Sequence, residues 1–139
     1  MISSHISRAS AVVLALGGFA LQFASDAILP RAIPGFPPAA AWVGQLLGAA
    51  WLALAVLDWL GRSALLGGIY ARGQVSANAV VFFVSAMTLV RVVARTGAPL
   101  LAWVAFVVAA AFALVYGWLM FRGPFERDLQ SYRQANQAA

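Results

Sequence analysis

Four long runs of apolar residues follow one another along the chain, separated by short segments rich in proline, glycine or polar residues. The runs cover 11–29, 39–60, 77–90 and 99–121. A helix needs about 20 apolar residues to cross the hydrocarbon core of a bilayer. Three runs meet that requirement, and the third meets it when the stretch to Ala94 is also helical. The pattern predicts an all-α integral membrane protein with helices at about 11–29, 39–60, 77–94 and 99–121.

The connections between the runs predict the topology. Four prolines between positions 30 and 38 prevent a helix from continuing there, because proline lacks an N–H donor and clashes with the preceding turn. Gly123-Pro124 ends the fourth helix in the same way. Helices joined by short loops pack as antiparallel neighbours. We therefore predict one up-down four-helix bundle over residues 1–122 and a polar cytoplasmic tail over 123–139.

The first run superficially resembles a secretory leader, since Arg8 precedes an apolar stretch. However, Ser25-Asp26-Ala27 is not a small-residue cleavage site, and the apolar stretch continues to Leu29. We therefore predict a spanning helix at this position.

Composition supports a membrane location and suggests its partners. Of the 139 residues, 63% are hydrophobic and only 9% are charged, whereas soluble domains carry about 25% charged residues. The formal net charge is +5, there is no cysteine, and every basic residue is an arginine. Because the arginines are scattered at helix ends, membrane lipids with anionic headgroups are the predicted partners, and nucleic acid is not.

The distribution of arginines predicts the orientation. With a cytoplasmic N-terminus, six arginines fall on the inner side and three on the outer side. Cytoplasmic loops carry the excess of basic residues, so both termini are predicted to be cytoplasmic. The arginine-only, alanine-rich composition is typical of bacteria with GC-rich genomes, which favours the bacterial inner membrane.

Small residues predict how the helices pack. Gly44 and Gly48 form a G-x-x-x-G face on the second helix, which permits close backbone approach. We expect this face to pack inside the monomer, with a homo-oligomer seam as the alternative.

Polar residues near the predicted outer boundary form the first candidate site. Gln22 and Gln45 both lie roughly 9–10 Å below that boundary, at the same depth on antiparallel helices. Asp26 lies one turn above Gln22, and Arg91 and Arg95 share a face at the end of the third helix. Such a cluster marks a ligand pathway, or its charged side chains simply extend to the interface. The second interpretation is favoured.

The second candidate site is Asp58 with Arg62, four residues apart near the inner end of the second helix and next to Trp59. An acid–base pair at this spacing beside a tryptophan is typical of an interfacial anchor. We therefore predict an interfacial ion pair; a proton-relay role is the less favoured alternative.

The sequence contains few residues in arrangements that could catalyse a reaction. The only histidine is His5, outside the predicted helices, and the four acidic residues are divided between the two membrane sides. No phosphate-binding or dinucleotide-binding glycine pattern is present. We predict no catalytic residue, no metal site and no cofactor.

Several segments resemble small bacterial four-helix membrane proteins of the DoxX-like kind. The similarity lies within residues 11–95 and rests on Leu16–Phe19, Ile28–Pro30, Trp42–Gly48, Gly67–Arg72, Asn78 and Phe82-Phe83. The resemblance implies the four-helix fold and a role beside a membrane oxidoreductase, as some such proteins have. It assigns no catalytic residue.

Two functional hypotheses follow. The first is an accessory or interaction subunit of a larger membrane complex, since the chain has little mass outside the predicted helices. The alternative is a membrane-embedded binding or transport module for a small apolar or amphipathic molecule, entered near Asp26, Gln22 and Gln45.

Overall fold

Four helices of this protein are long enough and apolar enough to cross a membrane. The computed structural model describes residues 2–95 and 97–137, and the described residues form no strand. The helices are α1 (Ile2–Ala32), α2 (Ala41–Leu60), α3 (Arg72–Val93), α4 (Leu100–Arg122) and α5 (Glu126–Gln137). Length and composition thus indicate a multi-pass membrane protein, and the fold is all-α as predicted.

The four long helices pack as two antiparallel hairpins. Helix α1 packs extensively on α2 and α3 on α4, whereas contact between the hairpins is sparse. The start of α1 lies against the start of α5, because the backbone of Ser3 is hydrogen-bonded to the side chain of Asp128. We call this end of the bundle, which also holds the α2–α3 connection, the termini end. The opposite end, with the connections around Gly35 and Gly97, is the loop end.

A glycine seam holds α1 against α2. A Cβ atom added to Gly48 would lie 2.7 Å from the carbonyl oxygen of Gly18, and one added to Gly18 would lie 2.9 Å from that of Gly48. Gly44 lies one turn away, against Ser25 and Leu29. Backbones that approach this closely gain van der Waals contact, which is a main source of helix association in lipid. Gly44 and Gly48 therefore pack within the monomer.

The apolar core is confined to the half of the bundle near the termini end. Its members from the two hairpins include Leu14, Ala55, Phe82 and Tyr116. Between residues 15 and 54 the only buried residues are three glycines and one serine. Among the described residues between 83 and 108, the one buried hydrophobic residue is Val93. The half near the loop end is therefore packed within each hairpin but hardly between them.

Stacked aromatic rings join α3 to α4 in this core. The ring centroid of Phe82 lies 4.8 Å from that of Phe112 and 6.0 Å from that of Tyr116. Ring pairs in this range contribute about 0.5–1.5 kcal/mol beyond their buried area. The stack also fixes the position of the Tyr116 hydroxyl, which matters for the site described below.

The α2–α3 connection closes the termini end. Gly67 has a φ of +87° and sits directly on the backbone of Gly123 and Pro124, so that a Cβ atom would lie 2.6 Å from the Gly123 carbonyl carbon. Leu66 beside it is fully buried. The connection thus covers the junction between α4 and α5.

The helix boundaries differ from the predicted ones at the chain ends and at the start of α3, which begins at Arg72 rather than at residue 77. Helix α1 begins at Ile2 rather than at residue 11, because Ser3, Ser7 and Ser10 face the interior and find polar partners there. It also continues past Pro30 to Ala32, with a non-helical residue at Ala24. Within the predicted tail, residues 126–137 form the helix α5.

The glycine seam gives a paired prediction. Gly48→Ala should destabilise the bundle by about 1–3 kcal/mol, because the added methyl group overpacks the seam. Gly117→Ala is the matched control on α4, where an added Cβ meets nothing within 4 Å. Thermal unfolding in detergent should show a lower Tm for the first variant and an unchanged or raised Tm for the second. Equal Tm values would contradict the seam.

Candidate functional site: a buried polar cluster at the termini end

A fully buried carboxylate, Asp58 on α2, is the centre of a polar cluster. Its Oδ2 accepts a hydrogen bond from the Ser10 hydroxyl of α1 at 2.6 Å. Its Oδ1 accepts one from Asn78 Nδ2 at 2.6 Å and one from Gln74 Nε2 at 3.1 Å, both on α3. Three donors on two other helices thus converge on one side chain, and each bond to a charged acceptor is stronger than a neutral one.

Ser10 extends the cluster to the fourth helix. Its Oγ lies 2.7 Å from the hydroxyl oxygen of Tyr116 on α4. Because the single proton of Ser10 is directed to Asp58, Tyr116 donates to Ser10. A chain of hydrogen bonds therefore runs from α4 through α1 to α2. Ser7 adds a further link, since its Oγ accepts from Gln74 Nε2 at 3.2 Å.

Asn78 has one acceptor left over. Its Nδ2 serves both Asp58 and the carbonyl of Gln74, one turn earlier on α3. Its Oδ1 is buried and has no hydrogen-bond partner among the described residues. The amide is thus oriented with its nitrogen, and not its oxygen, facing Asp58 Oδ1.

A glycine makes room for one of the donors. At Gly61, just after α2 ends, an added Cβ would overlap Oε1 of Gln74. The amide of Gln74 thus lies directly on the backbone of Gly61 and is held there while its Nε2 reaches Asp58 and Ser7. A larger residue at position 61 would displace the Gln74 amide from this position.

A second buried carboxylate, Asp128 on α5, caps the first helix. It accepts hydrogen bonds from the backbone N–H groups of Ile2 and Ser3, each at 2.7 Å, and from the Ser3 hydroxyl. These N–H groups have no partner within α1, because they belong to its first turn. Burial alone would raise the pKa of Asp128, but the hydrogen bonds outweigh it and hold the pKa below its usual value of 3.8.

The predicted ion pair between Asp58 and Arg62 is not formed, and the local prediction needs correction. Helix α2 ends at Leu60 and the chain enters a 3-10 turn over Gly61–Ser63, so the i, i+4 helical spacing no longer holds. Asp58 faces the bundle interior instead. Arg62 donates to the Trp59 carbonyl at 2.6 Å, and its guanidinium lies 4.9 Å from the centroid of the Trp59 ring.

The other predicted cluster is not assembled either. Asp26, Gln45, Arg91 and Arg95 are exposed, and Gln22 is half-buried. Asp26 accepts only from the adjacent Ala27 N–H, at 3.0 Å. Because the hairpins hardly contact one another at the loop end, Arg91 and Arg95 are not brought against α1.

Most members of the observed cluster were missed because their partners lie on other helices. One signal was available: Ser3, Ser7 and Ser10 follow one another at spacings of four and three, which places them on one helix face. Gln74 and Asn78 share a face for the same reason. Nothing in the local sequence distinguishes Tyr116 from the other aromatic residues of α4.

The arrangement can hold one negative charge, or one proton, among four helices. Its hydroxyls, amides and carboxylate are fully or almost fully buried. Among the described residues no group of three or more His, Cys, Asp or Glu side chains is placed to hold a metal ion. Comparisons with models of known families, with curated proteins and with solved structures gave no match. The DoxX-like resemblance therefore stays a prediction.

Substitutions of Asp58 test its role as the common acceptor. Asp58→Ala should lower the free energy of unfolding by about 3 kcal/mol, because three buried donors lose their acceptor. Asp58→Asn keeps an acceptor oxygen and should cost about 1 kcal/mol. The exposed Asp26→Ala is the control and should be neutral. Unfolding in mixed micelles should rank the variants in this order, and the same loss from positions 26 and 58 would refute the assignment.

The lowered pKa of Asp128 predicts that the stability of the fold depends on pH. Because its pKa is lower in the folded protein than in the unfolded chain, its stabilisation is complete above the usual carboxyl pKa. It is lost as the pH falls through the lower, folded-state pKa. Asp128→Asn should therefore be destabilised by about 1–2 kcal/mol at pH 7, and the difference from wild type should shrink below pH 3.8.

Thermal unfolding of both proteins between pH 7 and pH 3 measures this difference. Glu126→Gln, an exposed carboxylate of the same helix, is the control and should follow the wild-type curve. A gap between wild type and Asp128→Asn that does not change with pH would exclude capping by the ionised carboxylate.

Proposed function

We propose that this protein is an accessory or interaction subunit of a larger membrane complex. The observation that carries the proposal is the one-sided core. The two hairpins share packed side chains only near the termini end, whereas their halves near the loop end have almost no buried hydrophobic residue. A four-helix bundle that existed only to be stable by itself would pack along its whole length.

The unpacked halves present the kind of surface that a neighbouring helix needs. On α4, Leu101 and Val104 are more than half exposed and Trp103 is 46% exposed, and on α3 Phe83 and Met87 are more than half exposed. Helix association in lipid depends on close side-chain packing and not on exclusion of water. Large faces without a packed neighbour are therefore available for another membrane subunit at no cost to the existing core.

The polar cluster supports a scaffold role over a substrate site. Ser10, Asp58 and Asn78 are completely buried, and their hydrogen bonds join the helices to one another. A binding site in contrast keeps polar groups open towards a cavity. The cluster thus serves to hold the hairpins together while their outer faces bind elsewhere.

The alternative hypothesis, a binding or transport module entered near Asp26, finds no assembled site in this arrangement. Gln22, Asp26 and Gln45 make no hydrogen bonds to one another. We retain the accessory role as the proposal and place the protein in the bacterial inner membrane, with both termini cytoplasmic. The hydrogen bond between Ser3 and Asp128 brings the start of α1 and the start of α5 to the same end of the bundle, which supports termini on one side.

Crosslinking in the native membrane tests the proposal. A photoreactive residue at Val104 should give a discrete adduct with another membrane protein, because this position lies on the unpacked half of α4. Phe121, which is 87% exposed near the termini end of the same helix, is the matched control and should capture lipid. The captured protein should also co-purify at a fixed stoichiometry in native mass spectrometry.

Two results would count against an accessory role. One is lipid capture at both positions together with a bare monomer after gentle extraction. The other is capture of a second copy of this chain at Val104, which would make the unpacked half a homo-oligomer interface.

A further inference from the structure

The outer side of the α1–α2 hairpin carries an apolar groove of about 550 Å³ that the functional proposal does not use. Val12, Ala15 and Phe19 line it from α1, and Leu52, Val56 and Trp59 line it from α2. The first and last of these residues are seven positions apart on each wall, so that the groove runs for about 10 Å along the helix axes. Its lining offers almost no polar group, and its shape and chemistry suit a hydrocarbon chain.

Both walls of the groove end in an arginine on the same side. On α1, Arg8 precedes Val12 by four residues and so extends that helix face by one turn towards the termini end. Just beyond the end of α2, Arg62 follows Trp59 by three residues in the 3-10 turn, and its guanidinium lies 4.9 Å from the centroid of the Trp59 ring. The two helices are in register here, because Ser10 and Asp58 are hydrogen-bonded.

The charge at this mouth is not neutralised within the protein. The structure records no ion pair for Arg8 or Arg62 among the described residues. Arg62 donates one hydrogen bond to the Trp59 carbonyl. Asp58 is held on the interior side by neutral donors. Guanidinium groups bind phosphate oxygens with paired, charge-assisted hydrogen bonds. The mouth therefore complements an anionic phosphate at the level of the membrane surface.

We propose that this groove binds one anionic phospholipid of the membrane, with an acyl chain between Phe19 and Trp59 and the headgroup phosphate between Arg8 and Arg62. The arrangement combines an apolar channel with a cationic mouth at one end, which matches the two parts of such a lipid. On the predicted orientation the mouth faces the cytoplasmic leaflet, which is rich in anionic lipid.

A second copy of the chain is a poorer occupant of the groove. Two copies in one membrane share the same orientation, so a symmetric interface through the groove would bring Arg8 and Arg62 of both copies together. Such a contact places like charges opposite one another. An anionic headgroup reduces the repulsion between Arg8 and Arg62, whereas a second copy adds two more positive charges.

Native mass spectrometry of the purified protein tests the site with two probes, phosphatidylglycerol and phosphatidylcholine carrying the same acyl chains. Phosphatidylglycerol should bind with one high-affinity site, and phosphatidylcholine should bind more weakly. Each arginine near an anionic headgroup contributes about fivefold in affinity. Arg8→Gln/Arg62→Gln should therefore weaken phosphatidylglycerol binding about 25-fold and remove the preference between the two lipids.

Three further variants make the result specific. Arg31→Gln/Arg91→Gln removes the same charge at the loop end and should leave the tight site unchanged. Ala15→Phe fills the groove and should weaken both lipids, with helicity and Tm measured to show that the fold is kept. Arg8→Lys/Arg62→Lys retains the charge and should keep the lipid preference.

Three outcomes would overturn the proposal. The first is equal affinity for the two lipids in the wild-type protein, and the second is an equal loss from the two Arg→Gln double variants. The third is a dimer that Ala15→Phe dissociates, which would show that a second copy occupies the groove. Because the isolated protein is used, none of these results depends on the partner subunit proposed above.

Discussion

The fold depends on one carboxylate that collects hydrogen bonds from the other helices. Asp58 on α2 accepts from Ser10 on α1 and from Gln74 and Asn78 on α3, and Ser10 carries the connection to Tyr116 on α4. An apolar side chain gains little free energy by moving from lipid into the protein interior, because both are apolar. Polar contacts and close packing must therefore hold the helices together. A buried charge is tolerated only when such donors satisfy it, which makes the cluster and the bundle mutually dependent.

This tie lies at one end, and the asymmetry of the molecule follows from it. Near the termini end the hairpins share a core, and Asp128 caps α1 from α5. Towards the loop end the helices pack only within each hairpin, as in the seam of Gly18, Gly44 and Gly48 between α1 and α2. The two hairpins thus contact each other mainly near the termini end. Most of the large side chains exposed there are apolar, which suits lipid and a second membrane protein alike.

Sequence alone could predict the helices but not the site, and the physical reason is the range of the interactions. A run of apolar residues identifies a spanning helix because length and composition are local properties. The partners of Asp58 lie 16, 20 and 48 residues away, so their meeting depends on how the helices dock. Arg62 was predicted as the partner because it is near in sequence, yet the helix ends before reaching it. The serine spacing in α1 indicated a polar face, although not what it faces.

The separation of Asp58 from Arg62 also explains the outer surface of the same end. A guanidinium drawn inwards would have to lose its hydration, and that loss often exceeds the gain from a buried ion pair. Neutral amides and hydroxyls satisfy Asp58 at a lower desolvation cost, and Arg62 is left to lie on Trp59 at the rim. One end of the bundle thus has a hydrogen-bonded carboxyl group inside and an arginine at its rim. The buried carboxyl group orders the helices, and the arginine remains available to the membrane.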